Sequence, residues 1–167
     1  MSHMSSSSSR AALHVLLCDG GCNTQRGCYG SWCILQWVTC ADPAHCKRKR
    51  RRCPLGEVHL YRYCPESRRR LVERYTFDLP YLRTSNEAEW AALCRGLLAL
   101  KEHGITGQVV IVGDSRLVLN QFTGQWQVWA DNLRPLYQEA RERLKALDCA
   151  VFCEWRPRHV IEAWLGH

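Results

Sequence analysis

The sequence predicts an α/β fold with a mixed five-stranded sheet flanked by helices. Five segments have the composition of strands, and the long helical segments follow the third of them. Three strands that follow one another without a helix favour an antiparallel meander. A strand, a helix and a strand in succession then imply a parallel pair joined by a right-handed crossover. An antiparallel half that leads into a parallel half gives a mixed sheet.

The first predicted strand is the apolar run Leu13 to Cys18, which ends in Asp19. Such a run is typical of a strand buried on both faces. Gly20 and Gly21 follow, and we interpret them as a sharp turn or as a close approach to a bound group. Open α/β sheets hold ligands at the carboxyl ends of their strands, although Asp-Gly is also a common turn pair.

The next elements follow from composition and periodicity. Two further strands are predicted at Tyr29–Thr39 and Arg70–Leu79. A helix with Asn86 or Ser85 as N-cap follows and stops at Gly104. The remaining predicted elements are a strand at Gln108–Val112, a helix at Arg116–Phe122, a helix capped by Asp131 and a strand at Cys149–Trp155.

The charge is concentrated in an insertion at about residues 40–68. The net charge is +7, and six consecutive cations, KRKRRR, supply most of the excess. We expect Lys47, Arg48, Lys49 and Arg50 of this block to bind a polyanion, nucleic acid first. A solvated loop and a nuclear-targeting stretch are the alternatives.

The eleven cysteines are most simply reduced thiols. Residues 1–10 have the composition of a tag or disordered start, and we see neither a signal peptide nor a membrane span, so we expect a cytoplasmic protein. A disulfide framework is the weaker interpretation. The insertion offers a possible structural zinc site, but its spacing lacks the tight pair of strong zinc signatures, and we slightly favour no zinc; the four cysteines are Cys40, Cys46, Cys53 and Cys64.

Three carboxylates occupy related positions. Asp19 ends the first strand, Asp114 ends the fourth, and Glu89 lies in the first turn of the helix between them. Clustered carboxylates repel one another unless cations lie between them, and Mg²⁺ with oxygen ligands suits that arrangement. An alternative for Glu89 is a capping box with Asn86, while Glu87 is expected to be a solvated first-turn acid.

The motifs DGGCN, SNEAEWAAL and GDSRLVLNQ together resemble those of type 1 ribonuclease H and its reverse-transcriptase-associated relatives, within the ribonuclease H-like superfamily. The resemblance covers roughly Leu13 to Arg158 and implies the ribonuclease H-like fold. It also implies an endonuclease that cleaves the RNA strand of RNA/DNA hybrids by two-metal-ion hydrolysis with Mg²⁺ or Mn²⁺.

Residue roles come from the same resemblance. Asp19, Glu89 and Asp114 match the metal-binding acids of the family, Asp19 bridging two ions. The resemblance also implies contacts with nucleic acid. In the DGGCN motif these are made by Gly20, Gly21 and Cys22, and at the start of the helix by Asn86. We expect one domain at residues 11–167, acting as a monomer.

The chain departs from the family pattern near its end. The fourth acid expected after Pro157-Arg158 is missing, and Glu162 is the carboxylate that remains to replace it, although an exposed helix residue is the favoured interpretation. His159 is a candidate proton-shuttling residue. Two alternatives follow: a non-catalytic nucleic-acid-binding module of the same fold, and a nuclease of different strand preference.

Overall fold

The computed structural model describes residues 13–38 and 68–165. In these ranges the chain forms five strands and four helices: β1 (Leu13–Asn23), β2 (Gly27–Val38), β3 (Arg68–Asp78), α1 (Ser85–Glu102), β4 (Gly107–Gly113), α2 (Arg116–Phe122), α3 (Arg134–Lys145), β5 (Cys149–Trp155) and α4 (Arg158–Leu165). The strands form one sheet in the order β3-β2-β1-β4-β5. The predicted mixed five-stranded sheet flanked by helices is confirmed.

The sheet has an antiparallel half and a parallel half. β2 pairs antiparallel with both β1 and β3, whereas β4 pairs parallel with both β1 and β5. In the parallel pair Leu17 lies opposite Val112, so β1 and β4 run side by side toward the same edge of the sheet. The residues that follow these two positions therefore meet at that edge, which is where Asp19 and Asp114 lie.

The central strand is apolar from Val15 to Cys18, and helices cover both faces of this part. Leu16 and Cys18 belong to a large core with α1 on one face. Val15 and Leu17 belong to a smaller core on the other face, where Ile161 and Leu165 of α4 cover the sheet. Burial of a large aliphatic side chain contributes about 1.5–3 kcal/mol, so each face is held independently by apolar packing.

The first strand is longer than predicted. β1 continues through Gly20 and Gly21, which pair with Gly30 and Tyr29 of β2, and the chain reverses only after Asn23. The interpretation of the two glycines as a sharp turn is therefore wrong. The reversal uses Asn23, whose Oδ1 accepts a hydrogen bond from the Gln25 N–H at 3.1 Å, and a glycine at positive φ, Gly27.

Two helix starts also differ from the prediction. The N-cap of α1 is Thr84, in place of Asn86 or Ser85. Helix α3 has Leu133 at its N-cap without a side-chain cap, and Asp131 instead accepts from the guanidinium of Arg134 at 2.8 Å. The end of α1 before Gly104 and the bounds of α2 and β5 agree with the prediction.

The cysteine-rich insertion lies outside the described residues, apart from Arg68, which opens β3. The structure therefore does not test the basic block or the possible zinc ligands. Within the described ranges no helix is long and apolar enough to cross a membrane.

One cysteine pair is oxidised, contrary to the expectation of reduced thiols throughout. Cys22 lies directly opposite Cys28 in the β1–β2 register, and the two form a disulfide. Opposed positions on antiparallel strands bring two side chains close together, whereas sequence alone does not reveal the register. Five other described cysteines are free: Cys18, Cys33, Cys94, Cys149 and Cys153.

We predict that reduction of Cys22–Cys28 lowers the free energy of unfolding by about 2 kcal/mol, because the cross-link restricts the unfolded chain even across a short loop. Urea unfolding with and without a thiol reductant measures this difference. The double variant Cys22→Ser/Cys28→Ser is the control and should show no such dependence at this site. Equal midpoints for the wild-type protein under both conditions would contradict the prediction.

Candidate metal centre

Asp19 is fixed by the alternation of the central strand. Val15 and Leu17 point to the face that α4 covers, and the period of two places Asp19 on the same face. The residue is only 2% exposed although it carries a carboxylate. Burial of a carboxylate is costly unless hydrogen bonds or a cation compensate it.

Gly20 brings the start of α1 against β1. A Cβ at this position would lie 2.5 Å from the backbone N of Glu89 and closer still to the carbonyl group of Ala88. Only a residue without a side chain allows the helix to approach this far. The contact lets the Gly20 N–H donate a hydrogen bond to the Glu89 carboxylate, which is also hydrogen-bonded to Asp19.

Glu89 takes no part in the capping of α1, so its carboxylate is available to face β1. The capping box consists of Thr84 and Glu87: the Glu87 N–H donates to Thr84 Oγ1 at 3.2 Å, and the Thr84 N–H donates to Glu87 Oε2 at 2.9 Å. The alternative in which Glu89 caps with Asn86 is therefore wrong. Glu87 is the first-turn acid that the sequence predicts, and it also closes the capping box. Glu89 lies two residues beyond the capping pair and faces β1.

Asp114 occupies the junction between β4 and α2. Ser115 is the N-cap of α2, its Oγ accepting from the Val118 N–H at 3.2 Å. On the strand side, the Arg156 N–H donates to the Gly113 carbonyl at 2.9 Å. The Asp114 Oδ1 atom is buried and has no hydrogen-bond partner among the residues that the structure describes.

The three acids meet as the sequence predicted. One oxygen from each of Asp19, Glu89 and Asp114 can be chosen so that all lie within 4.8 Å of one another. Burial, followed by the charges of Asp19 and Asp114, raises the pKa of Glu89 to about 9. Burial and Asp19 also raise the pKa of Asp114. These effects are those of carboxylates held together without a counter-charge.

This donor set fits a hard divalent cation. Carboxylate oxygens are the preferred ligands of Mg²⁺ and Mn²⁺, and a cation among them would satisfy the buried Asp114 Oδ1 and relieve the repulsion. The residues that would hold the ion are Asp19, Glu89 and Asp114. The match rests on the chemistry of the oxygens and on their mutual distance.

Helix α4 brings a cation to the cluster. The guanidinium of Arg158 lies close enough to Asp114 to lower its pKa, partly opposing the effect of burial. Glu162, the candidate fourth acid, accepts from Arg158 Nε at 2.6 Å and lies outside the cluster of three. This ion pair raises the pKa of Arg158 further. His159 is exposed at the start of the same helix.

A groove between α2 and α3 was not predicted from the sequence. Trp126 and Trp129 line it and are 49% and 76% exposed. Asn86, a predicted nucleic-acid contact, lies in the same lining. The signal was present in the sequence as QWQVW between two helices, but two indoles there are equally compatible with a core.

Gln121 shapes this groove. Its buried amide accepts from the Trp90 indole N–H at 3.2 Å and donates to the Gln127 carbonyl at 3.3 Å. The loop that carries the two exposed indoles is thereby tied to α1. Of the other predicted nucleic-acid contacts, Gly20, Gly21 and Cys22 lie near the end of β1, and Lys47, Arg48, Lys49 and Arg50 lie outside the described residues.

A mixed sheet with three carboxylates clustered where β1 and β4 end defines a class of α/β proteins with an acidic rim. Comparison with known proteins identifies the family. Residues 68–163, more than half of the chain, match the family model described as "Reverse transcriptase-like". The chain belongs to this family.

A curated relative is the uncharacterized protein YpeP of Bacillus subtilis (strain 168). It is 35% identical over 94 residues, which are 56% of this chain and 38% of that protein. The chain therefore matches well under half of the length of this relative.

Solved structures show the same fold. The N-terminal ribonuclease H domain of rv2228c from Mycobacterium tuberculosis superposes with a TM-score of 0.59 and 22% identity, covering 89% of this chain and 84% of that one. Ribonuclease H1 from Halobacterium salinarum superposes with a TM-score of 0.57 and 22% identity, covering 90% of this chain and 89% of that one. LC11-RNase H1 in complex with an RNA/DNA hybrid superposes with a TM-score of 0.54 and 17% identity, covering 87% of this chain and 86% of that one. The predicted resemblance to the ribonuclease H fold is confirmed.

We predict that the metal-free protein loses stability relative to the Glu89→Gln variant as the pH rises from about 5 to about 9. The folded protein keeps the Glu89 proton up to its pKa of about 9, whereas the unfolded chain releases it near the ordinary pKa of 4.5. The folded state then binds more protons, so the free energy of unfolding falls with increasing pH across this window.

Urea unfolding in a chelating buffer at several pH values measures the effect. Glu89→Gln keeps the shape of the side chain and removes its titration, so the difference between the two proteins cancels the other ionisable groups. A difference that does not change with pH would contradict the raised pKa.

Proposed function

We propose that this chain is a divalent-metal-dependent endonuclease that cleaves the RNA strand of RNA/DNA hybrids. The observation that carries the proposal is the meeting of Asp19, Glu89 and Asp114 at one edge of a ribonuclease H-like sheet. Three clustered carboxylates, of which Glu89 and Asp114 have raised pKa values, form a costly arrangement unless they serve a cation. A structural neighbour, LC11-RNase H1, binds an RNA/DNA hybrid.

Two bound Mg²⁺ or Mn²⁺ ions would supply the positive charge that stabilises the entering and leaving oxygens of a phosphodiester displacement. The role of the chain is to hold the three carboxylates in place. Asp19, the most buried of them, lies between the other two elements and is the candidate to serve both ions. Glu89 would hold the ion as a carboxylate and would give up to solvent the proton that it keeps in the metal-free protein below its pKa of about 9, because the charge of the ion would offset the repulsion from Asp19 and Asp114.

Arg158 supplies a protein cation beside Asp114. A guanidinium here would attract a substrate phosphate to the open side of the acid cluster and keep it beside the carboxylates. Its pairing with Glu162 holds the guanidinium near the rim of the sheet. Glu162 would then act on the electrostatics of Arg158 and would not need to bind an ion itself.

Two surfaces beside the acids suit a nucleic-acid duplex. Gly20 and Gly21 lie on β1 directly after Asp19, and the resemblance to the family implies that the backbone there contacts the RNA strand and its 2′-OH. The groove with Trp126 and Trp129 presents indole faces and amides, the groups on which nucleotides stack and bond. Asn86 lies in that groove, one helical turn before the metal ligand of α1.

We predict that Asp19→Asn lowers hybrid cleavage with Mg²⁺ by at least ~100-fold, since changes outside the ligand shell alone cost 10–100-fold in metalloenzymes. Initial rates with an RNA strand labelled in an RNA/DNA hybrid measure this. Glu87→Gln is the matched control: it lies on the same helix, belongs to the capping box and should change the rate little. Cleavage that survives Asp19→Asn would reject the metal site.

A second candidate function is a non-catalytic nucleic-acid-binding module. The observation that favours it is the Arg158–Glu162 ion pair, which occupies the carboxylate available to replace the fourth acid. Hybrid binding without cleavage by the wild-type protein, in Mg²⁺ and in Mn²⁺, would support this module. Cleavage of duplex RNA or of DNA in preference to the hybrid would instead indicate a nuclease of different strand preference.

We predict that the basic block contributes non-specific attraction to phosphates. Replacing Lys47 to Arg52 by six glutamines should weaken hybrid binding and make its salt dependence shallower, by roughly 0.7–0.9 in log–log slope for each phosphate that the variant no longer neutralises. Replacement by six lysines keeps the charge and should keep the slope. An unchanged slope in the glutamine variant would remove the block from the binding surface.

A cytoplasmic location, a monomeric state and the slight preference for no zinc in the insertion stay predictions from the sequence. Zinc content measured on the purified protein, compared with a variant in which Cys40 and Cys46 are serine, addresses the last of these. Cysteine thiolates form structural sites of four ligands, so loss of two should abolish a bound ion.

A further inference from the structure

The position of the Asp114 carboxylate depends on the backbone around it. Its Oδ1 atom is buried and has no hydrogen-bond partner within the described residues, so no neighbouring side chain holds that atom in place. The backbone N–H of Asp114 itself donates a hydrogen bond to the carboxylate, so the position of the carboxylate depends on the peptide groups on either side of it. Those peptide groups end β4 and begin α2, where regular backbone hydrogen bonding is interrupted.

The end of β5 supplies the missing backbone contacts. The Trp155 indole N–H donates to the Asp114 carbonyl at 2.9 Å, and the next residue, Arg156, donates its N–H to the Gly113 carbonyl at 2.9 Å. Two successive carbonyls at the end of β4 are thus held by two successive residues of the neighbouring strand. The register places Trp155 directly opposite Gly113, which brings the indole within reach.

The indole is itself held in place from its solvent side. The guanidinium of Arg116 stacks over the Trp155 ring, 4.0 Å from the ring centroid. Trp155 remains 37% exposed, so core packing does not account for its orientation. The stack and the hydrogen bond together fix one rotamer of a side chain that contributes little to the core.

We propose that Trp155 is a positioning residue for the metal site: its indole N–H holds the Asp114 carbonyl so that the carboxylate is presented to the cation. This inference rests on the proposed metal-dependent function and adds to it a residue outside the acid cluster. Partners outside the ligand shell orient metal ligands and tune metal affinity in the same way in other proteins.

The test is the affinity for Mn²⁺ alone, measured without nucleic acid from the free-ion electron paramagnetic resonance signal. Trp155→Phe keeps an aromatic ring for Arg116 and loses only the N–H. We expect Trp155→Phe and Trp155→Ala to bind Mn²⁺ about fivefold more weakly than the wild type, the ratio corresponding to a neutral hydrogen bond of about 1 kcal/mol. Trp129→Phe, a matched change at an exposed indole of the groove, should leave the affinity unchanged.

A readout without metal separates positioning from a general structural role. In the metal-free protein, Trp155→Phe should speed amide hydrogen exchange at residues 113–116 while the urea midpoint stays close to that of the wild type. Wild-type affinity in Trp155→Phe would overturn the inference and leave the metal site intact. Absence of Mn²⁺ binding by the wild type would overturn the proposed function, and this inference with it.

Discussion

The close approach of α1 to the central strand at Gly20 is the contact on which the site depends. A helix normally packs on a sheet through side chains, but here the backbone of Ala88 and Glu89 lies where a Cβ of residue 20 would be. This contact brings Glu89, just beyond the first turn of α1, over an acid at the end of a strand. The repulsion that results is retained in the folded protein, because apolar packing on both faces of the sheet outweighs it.

The raised pKa values follow from that constraint. Glu89 and Asp114 lie on different elements, and each is pressed against Asp19 by packing that the carboxylates do not themselves favour. Water could stabilise three separate carboxylates far better than this rim does. In the metal-free site the raised pKa keeps a proton on Glu89. A divalent cation among these acids would offset the same repulsion, since one oxygen of each can be chosen so that all three lie within 4.8 Å of one another.

Much of this arrangement could be predicted from the sequence, because it depends on the order of the elements along the chain and on the periodicity of their apolar residues. Each of the two buried strands is followed by an acid, and the helix between them carries an acid near its start. Parallel pairing then brings the two strand ends together. The role of Gly20 could not be predicted in detail. A pair of glycines after an acid is equally typical of a turn, and only the pairing of Gly20 with Gly30 shows that the strand continues.

The capping of α1 shows a different limit. Thr84 and Glu87 have the spacing of a capping box, and so do Asn86 and Glu89, so the pattern alone does not decide which acid serves the helix. The structure decides it through the position of β1, which faces Glu89 and leaves Glu87 with Thr84. The disulfide between Cys22 and Cys28 was missed for a related reason, since its formation depends on strand register.

Helix α4 contributes both apolar packing on the sheet and a cationic side chain beside the acids. The cationic side chain bears on the missing fourth acid. Ile161 and Leu165 bury one side of the helix against the sheet, and that packing places Arg158 beside Asp114. The guanidinium partly compensates the acid cluster, and Glu162 is engaged by Arg158. An additional carboxylate at this rim would add to the repulsion, whereas a cation reduces it. Arg158 thus compensates part of the charge of the three acids on the Asp114 side of the cluster.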